Sequence, residues 1–215
     1  MSQQPIYIID GVRTPIGAFL GALSNVHAAH LGGTAIKALL ERTNVPADRI
    51  NEVLMGCVLP AGQGQAPARQ AMRFAGIPDG VGAVTVNKVC GSGLKTVMMG
   101  ATSILAGEAD LVVAGGMECM SQVPYYASGA RTGFRMGHQT LTDGMIYDGL
   151  CDPYDDFHMG NAGEKCADKY KFSREAQDEF SARSYHRAQD AVNSGKFKGE
   201  ITPVSIPQRK GDPVV

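Results

Sequence analysis

A chain of 215 residues, 44% hydrophobic and with a net charge of −1, is long enough for one or two globular domains with a sizeable core. Near-neutral charge without Lys/Arg blocks argues against nucleic acid or an acidic membrane as the main partner, and no apolar run is expected to reach the ~18 residues of a membrane span. The five cysteines (57, 90, 119, 151 and 166) form no CxxC pair. They read as reduced thiols of a cytosol-like, cytoplasmic compartment, with no disulfide framework and no metal site.

The opening MSQQPIYIID lacks the layout of a signal peptide. IYIID (6–10) reads as a short buried strand, closed by the turn signal GVRTPIG. A helix pattern follows from His27 to Thr43, with Leu31, Ala35, Leu39 and Leu40 spaced by about a turn. Its Gly32 and Gly33 imply close packing there. EVLMGCVL (52–59) is the next strand, and the loop AGQGQ leads to a short helix around Ala68–Ala75. VTVNKV (84–89) is a third strand, Gly91–Leu105 a helix and DLVVAGGME (110–118) a fourth strand. Alternation of helices with continuous apolar strands predicts an α/β fold whose parallel or mixed sheet is covered on both faces.

The texture changes after Glu118. Residues 119–156 are rich in Gly, Tyr, Met and Asp with little periodicity, as in a lid, binding loop or assembly arm. Helix returns after Gly160, and a clearer one starts at the N-cap Ser173 and stops at Gly195. Its stripe of Ala176, Phe180, Ala188 and Val192 predicts a surface helix with one packed face. The expected division is 1–118 for a first domain with the nucleophile and 119–215 for a loop domain.

The chemistry concentrates in VNKVCGSGLKTVMMGA (86–101), where a strand ends in a lone cysteine followed by Gly-Ser-Gly. A lone cysteine is more often a small buried hydrophobe. At a helix N-terminus, however, unpaired amides and the positive dipole end favour a thiolate, which is the nucleophilic form. Gly91 and Gly93 would let an acyl group approach both the sulfur and the amides, which would hold an oxyanion. The stretch is neither a GxSxG elbow nor a papain-type segment. Leu94, Val97, Met98, Met99, Ala101, Ile104 and Leu105 surround the following helix, which predicts burial on nearly all sides within a layered protein.

NKVCGSGLKTVMMGATSILAGEADLVVAGGMECMSQVPYY resembles the nucleophile segment of the thiolases. GVRTPIGAFLGAL, GQAPARQAMRFAGIP, FHMGNAGE (157–164) and GKFKGEITPV agree with that family in the same order. The resemblance implies the layered αβαβα thiolase-like fold, of which the first half-domain and loop domain are present. It implies an acetyl-CoA C-acetyltransferase in which Cys90 becomes an acetyl thioester, acetoacetyl-CoA is made or cleaved, and no cofactor is needed because the CoA thioester is substrate. Thioester exchanged for thioester leaves the intermediate neither a trap nor hard to reach.

By the same resemblance, His158 and Met159 in FHMG lie beside the substrate thioester, as in short-chain members. Leu150 lines the pantetheine tunnel, and Arg209 and Lys210 open a loop near the CoA nucleotide. RTGFRMGHQ (131–139) resembles the arm that makes tetramers, with Met136 reaching towards a neighbouring site, so a homodimer or homotetramer is expected. Read without the family, His158 and Leu150 are ordinary packing residues, Arg209 and Lys210 a solvated surface, and 131–139 a flexible loop. Cys57, Cys119, Cys151, Cys166, His27, His30, His138 and His186 receive no role.

Family members are nearly twice as long. Their second half carries an Asn motif, a Gly-His-Pro histidine and a second cysteine in Cys-x-Gly. None occurs here, so the chain is expected to be incomplete and inactive alone. A ketoacyl synthase-like condensing enzyme and a non-catalytic CoA-binding or assembly module are the alternatives.

Overall fold

Residues 5–206 and 208 are described in the structure, a computed structural model. Three parallel strands form the central sheet: β1 (Glu52–Gly56), β2 (Gly82–Val86) and β3 (Val112–Gly116), in the order β2-β1-β3. β1 lies in the middle, with Gly56 opposite both Val86 and Gly116. Its Val53, Leu54 and Met55 are nearly fully buried, as a strand covered on both faces requires.

The two crossovers explain the layering. From β1 the chain moves one strand outward to β2 through α2 (Pro67–Phe74). From β2 it returns past β1 to β3 through α3 (Ser92–Ala106). Right-handed connections that run in opposite directions along a sheet put their helices on opposite faces. α1 (Ala28–Thr43) joins α2 on the first face, where Ile36, Met72, Ala71, Val53, Met55 and Val113 share the main core. Close packing at the α1 glycines is observed. A Cβ on Gly32 would meet Met117 Sδ at 2.6 Å, and one on Gly33 would meet Phe74 Cβ at 2.7 Å.

Helix α3 sits on the other face through small residues. Ser92, Thr96 and Gly100, four apart, are its buried positions, and the Thr96 hydroxyl donates to the carbonyls of Gly93 (2.6 Å) and Gly115 (2.9 Å). The expectation of burial on nearly all sides is corrected: Leu94 (69% exposed), Met98 (53%) and Leu105 (52%) face outward. The sheet covers one face of the helix, and no other described element covers the rest. An 18-residue window, Val89–Ala106, reaches a mean hydropathy of 1.2 and passes the length and composition test for a membrane span, so that expectation is corrected too. Its helical part is a sheet-covering helix, docked by the three small residues.

The expected strand at 6–10 is not formed. Tyr7, Ile8 and Ile9 are 77%, 82% and 63% exposed, and among the described residues no strand pairs with them. The segment is tethered instead by an Asp10–Arg42 ion pair and by Arg13, which bridges to Ile201 and pairs with Glu200 at 2.6 Å. Through that bridge the stretch after Glu200 returns to the first layer, where Val204 is buried in the main core.

After β3 the long loop contains a pair of antiparallel two-residue strands, β4 (Tyr125–Tyr126) and β5 (Thr142–Asp143), then a π-helical turn at Ile146–Leu150. Two helices follow, α4 (Met159–Tyr170) and α5 (Arg174–Asn193). Ser173 caps α5 as expected, its hydroxyl accepting from Ala176 N at 3.2 Å. The packed face does not appear: α5 has no buried residue, and Phe180 and Val192 are 65% and 62% exposed. An amphipathic stripe shows what a helix can bury, but the partner has to come from elsewhere.

Candidate active site

Cys90 sits on a strained turn between β2 and α3. β2 ends at Val86, three residues earlier than its apolar run suggests, because Asn87 turns the chain. The Asn87 side-chain oxygen accepts from Val89 N (2.9 Å), while its amide donates to Val58 O (3.2 Å). Val89 then adopts φ 46°, a left-handed conformation that costs an L-residue roughly 1–2 kcal/mol and is worse for a β-branched one. Strain of this kind persists only where neighbouring bonds over-determine it. Ser92 supplies them. Its hydroxyl accepts from Lys88 N at 2.8 Å and donates to Val89 O at 2.6 Å, and the residue is 4% exposed.

The sheet makes room for this turn with glycines. A Cβ on Gly56 would lie 2.7 Å from the Ser92 carbonyl carbon and 2.8 Å from Gly93 N; one on Gly116 would lie 3.3 Å from Gly93 Cα. The N-terminus of α3 therefore rests directly on the carboxyl ends of β1 and β3. Gly93 serves this approach, facing the backbone of Gly115 and Gly116, and does not clear a path to the sulfur as expected. The amides of Gly91 and Ser92 are bonded to the carbonyls of Lys88 and Val89, so neither is free for an oxyanion.

The thiols divide by environment. Cys90 and Cys166 are exposed, whereas Cys57 and Cys119 are buried. Burial, reinforced by the Glu118 carboxylate, pushes the Cys57 thiol up to about 12. Burial also raises Cys119, and burial followed by the Asp156 carboxylate raises Cys151. Cys57 and Cys119, both buried, are held as inert thiols. Sequence reading gave Glu118 and Ser92 no role, yet both organise the site. The Glu118 carboxylate accepts from Val58 N (2.7 Å) and Leu59 N (3.1 Å), fixing the segment that Asn87 also grips. Their only signals were an acid ending an apolar strand and a serine between two glycines.

The other expected residues lie on the loop that follows. Gly149 rests on Leu59, with its Cβ position 3.3 Å from the leucine side chain. The half-buried Leu150 thus ends a turn supported by the same 57–59 segment as the nucleophile. Cys151 pairs antiparallel with His158. His158 is exposed and caps α4, its Nδ1 accepting from Gly160 N at 3.0 Å, and Met159 is the first residue of that helix. Met136 is 95% exposed on the arm. Arg209 and Lys210 lie outside the described residues. A surface groove of about 330 Å³ between α1 and residues 202–205, lined by His30, Lys37 and Glu41 among others, contains none of these residues. Among the described residues no cluster of His, Cys, Asp or Glu is arranged to hold a metal ion.

Comparison with known proteins gives this geometry its relatives. Residues 6–215 match the thiolase N-terminal domain. The chain is 51% identical to an acetyl-CoA acetyltransferase of Pseudomonas aeruginosa over 98% of its own length and 54% of that protein's. It is 53% identical to an acetyl-CoA acetyltransferase of Cupriavidus necator, covering 97% of this chain and 53% of that one. A probable acetyl-CoA acyltransferase of Staphylococcus aureus is 51% identical, with 98% and 53% covered. The chain thus spans about half the length of the curated relatives it matches. An exposed cysteine on a strained strand-to-helix turn, in a chain matched from residue 6 to 215, places this protein in the thiolase family through its N-terminal domain.

Proposed function

We propose that this chain carries the acyl-transfer half of an acetyl-CoA C-acetyltransferase. The Cys90 thiolate attacks the carbonyl carbon of acetyl-CoA, a tetrahedral oxyanion forms and collapses, and CoA leaves as its thiolate. In the second stage the α-carbon of another acetyl-CoA loses a proton and attacks the acetyl carbonyl. The new carbon–carbon bond forms as the Cys90 thiolate departs, giving acetoacetyl-CoA. The reverse sequence is thiolysis. No cofactor enters either stage. The proton acceptors come from a thiolase C-terminal half, and the working assembly is a cytoplasmic homodimer or homotetramer with no nucleic-acid or membrane partner.

One observation carries this reading: Cys90 is exposed on a turn held under strain by Ser92 and Asn87. The names of the acetyl-CoA acetyltransferases at 51% and 53% identity support the choice of acyl group. His158, Met159, Leu150 and Met136 are assigned to the thioester and pantetheine path, and Arg209 and Lys210 to the nucleotide end. The test is brief exposure to acetyl-CoA followed by peptide mass spectrometry. An acetyl group on Cys90 is expected. An acetyl group on a different cysteine, or full turnover in Cys90→Ala with a C-terminal half supplied, overturns the proposal.

A further inference from the structure

The hydrogen-bond ladder of the sheet stops near the strand ends, but a chain of side-chain bonds continues across them. Glu118 lies two residues beyond β3, and its carboxylate accepts from Val58 N at 2.7 Å and from Leu59 N at 3.1 Å. Val58 lies two residues beyond β1, and its carbonyl accepts from the Asn87 side-chain amide at 3.2 Å. Asn87 directly follows β2, and its side-chain oxygen accepts from Val89 N at 2.9 Å. The path crosses the sheet from β3 through β1 to β2 and ends one residue before Cys90.

Both oxygens of Glu118 are engaged. Oε2 takes the Val58 amide, while Oε1 takes the Leu59 amide and lies 3.4 Å from the Cys57 sulfur. The Cys57 thiol, pushed up to about 12 by burial and then by this carboxylate, keeps its proton and remains a donor. All three partners therefore donate, and only a group that accepts at both oxygens suits them. At the far end of the path Val89 stands at φ 46°, a conformation that neighbouring bonds must hold. One of those bonds comes from the Asn87 oxygen. The amide end of that side chain is bonded, among the described residues, to the Val58 carbonyl alone.

We propose that Glu118 is a positioning residue for the nucleophile: through Val58 and Asn87 it holds Val89 in its left-handed turn and so fixes where the Cys90 sulfur stands. Hydrogen bonds in such a chain strengthen one another, so cutting the first link loosens the last. The consequence for acyl transfer rests on the acyltransferase reading, whereas the relay rests on the bonds alone.

The test uses the chain with a thiolase C-terminal half supplied. Glu118→Ala removes the first link. Asn87→Ser removes the second, because a serine oxygen can still accept from the Val89 amide but is too short to reach Val58. Amide exchange at Val89 should rise about fivefold in either variant, as the loss of one ordinary hydrogen bond implies. In the double variant it should rise no further, since one path has been cut twice. The rate of Cys90 acetylation per folded site, at saturating acetyl-CoA, should fall roughly 10- to 100-fold in the same pattern, the scale of a nucleophile displaced by up to an ångström.

Faster exchange at Val58 and Leu59 with Val89 at the parent level would make Glu118 a support of its own loop and overturn the relay. Effects that multiply in the double variant would overturn it too. A parent-like acetylation rate in Glu118→Ala overturns the bearing on the nucleophile. If Glu118→Ala does not fold, Glu118→Gln takes its place, leaving one oxygen for two amides, and the same rise at Val89 is required. A parent Cys90 that takes no acetyl group would remove the acyltransferase reading and leave the exchange measurement to decide the relay, so the two fail separately.

Discussion

Gly56→Ala tests whether the seat of the nucleophile is a backbone-to-backbone contact. The added Cβ would lie 2.7 Å from the Ser92 carbonyl carbon and 2.8 Å from both Gly93 N and Ser92 Cβ. Carbon contacts are comfortable at about 3.5–4.0 Å, so α3 must lift by about 1 Å at its first turn. Neither side can yield by a rotamer change, because Gly56 is paired to Val86 and Gly116 and Ser92 is tied to Lys88 and Val89. Overpacking of this kind costs about 1–3 kcal/mol.

Gly82→Ala is the control, since it makes the same chemical change in the same sheet at a position with nothing within 4 Å. It should stabilise by about 0.4–1 kcal/mol by restricting the unfolded chain. Urea unfolding reads both. With m of about 1–3 kcal/mol per M, the Gly56→Ala midpoint should drop by roughly 1 M at constant m, and acetylation of Cys90 should slow as the turn loses its seat. If Gly56→Ala unfolds at the parent midpoint, or Gly82→Ala loses as much, the contact does not hold the turn and the packing argument fails.

Further outcomes follow from single residues. Ser92→Ala should cost about 1–3 kcal/mol by stranding the Lys88 amide, seen as a lower urea midpoint; Val89→Asn should stabilise by about 1 kcal/mol, seen as a higher midpoint, because Asn tolerates the left-handed conformation. In native chain, a thiol-alkylating reagent should label Cys90 and Cys166 and spare Cys57 and Cys119, which peptide mapping will show; equal labelling of all four would contradict their burial. The Tyr126 hydroxyl donates to Asp148, and that carboxylate holds the phenol up at about 12. Its contribution to stability is therefore present below pH 10 and lost as pH rises through 12, and ultraviolet titration should show its ionisation falling towards 10 in Asp148→Asn. His158→Ala should reduce acetoacetyl-CoA turnover more than that of longer 3-ketoacyl-CoA substrates in the assembled enzyme, and equal losses would remove any role in chain-length choice.

Local pattern was enough for much of this protein. The helix from Ala28, the cap at Ser173, the strand at β1 and the lone cysteine between a strand and a helix depend on near neighbours in the chain, and all were legible. The motifs that resemble thiolases were legible for a different reason: they are combinations of residues in a fixed order, which composition and periodicity do not contain. What the tertiary structure decided is everything that needs a partner. IYIID has the make-up of a strand, but a strand exists only when its amides meet another's carbonyls, and among the described residues no strand pairs with it. The apolar residues around α3 and along α5 mark surface that can be buried, while their 52–69% exposure at Leu94, Met98, Leu105, Phe180 and Val192 shows that nothing in the described chain buries it. Gly91 and Gly93 were read as an opening for substrate, and Ser92 was given no role; the fold turned Ser92 towards Val89 and Gly93 towards the strand ends. Sequence states what each residue is able to touch, and only the approach of β1 and β3 to the first turn of α3 determines what Ser92 and Gly93 do touch.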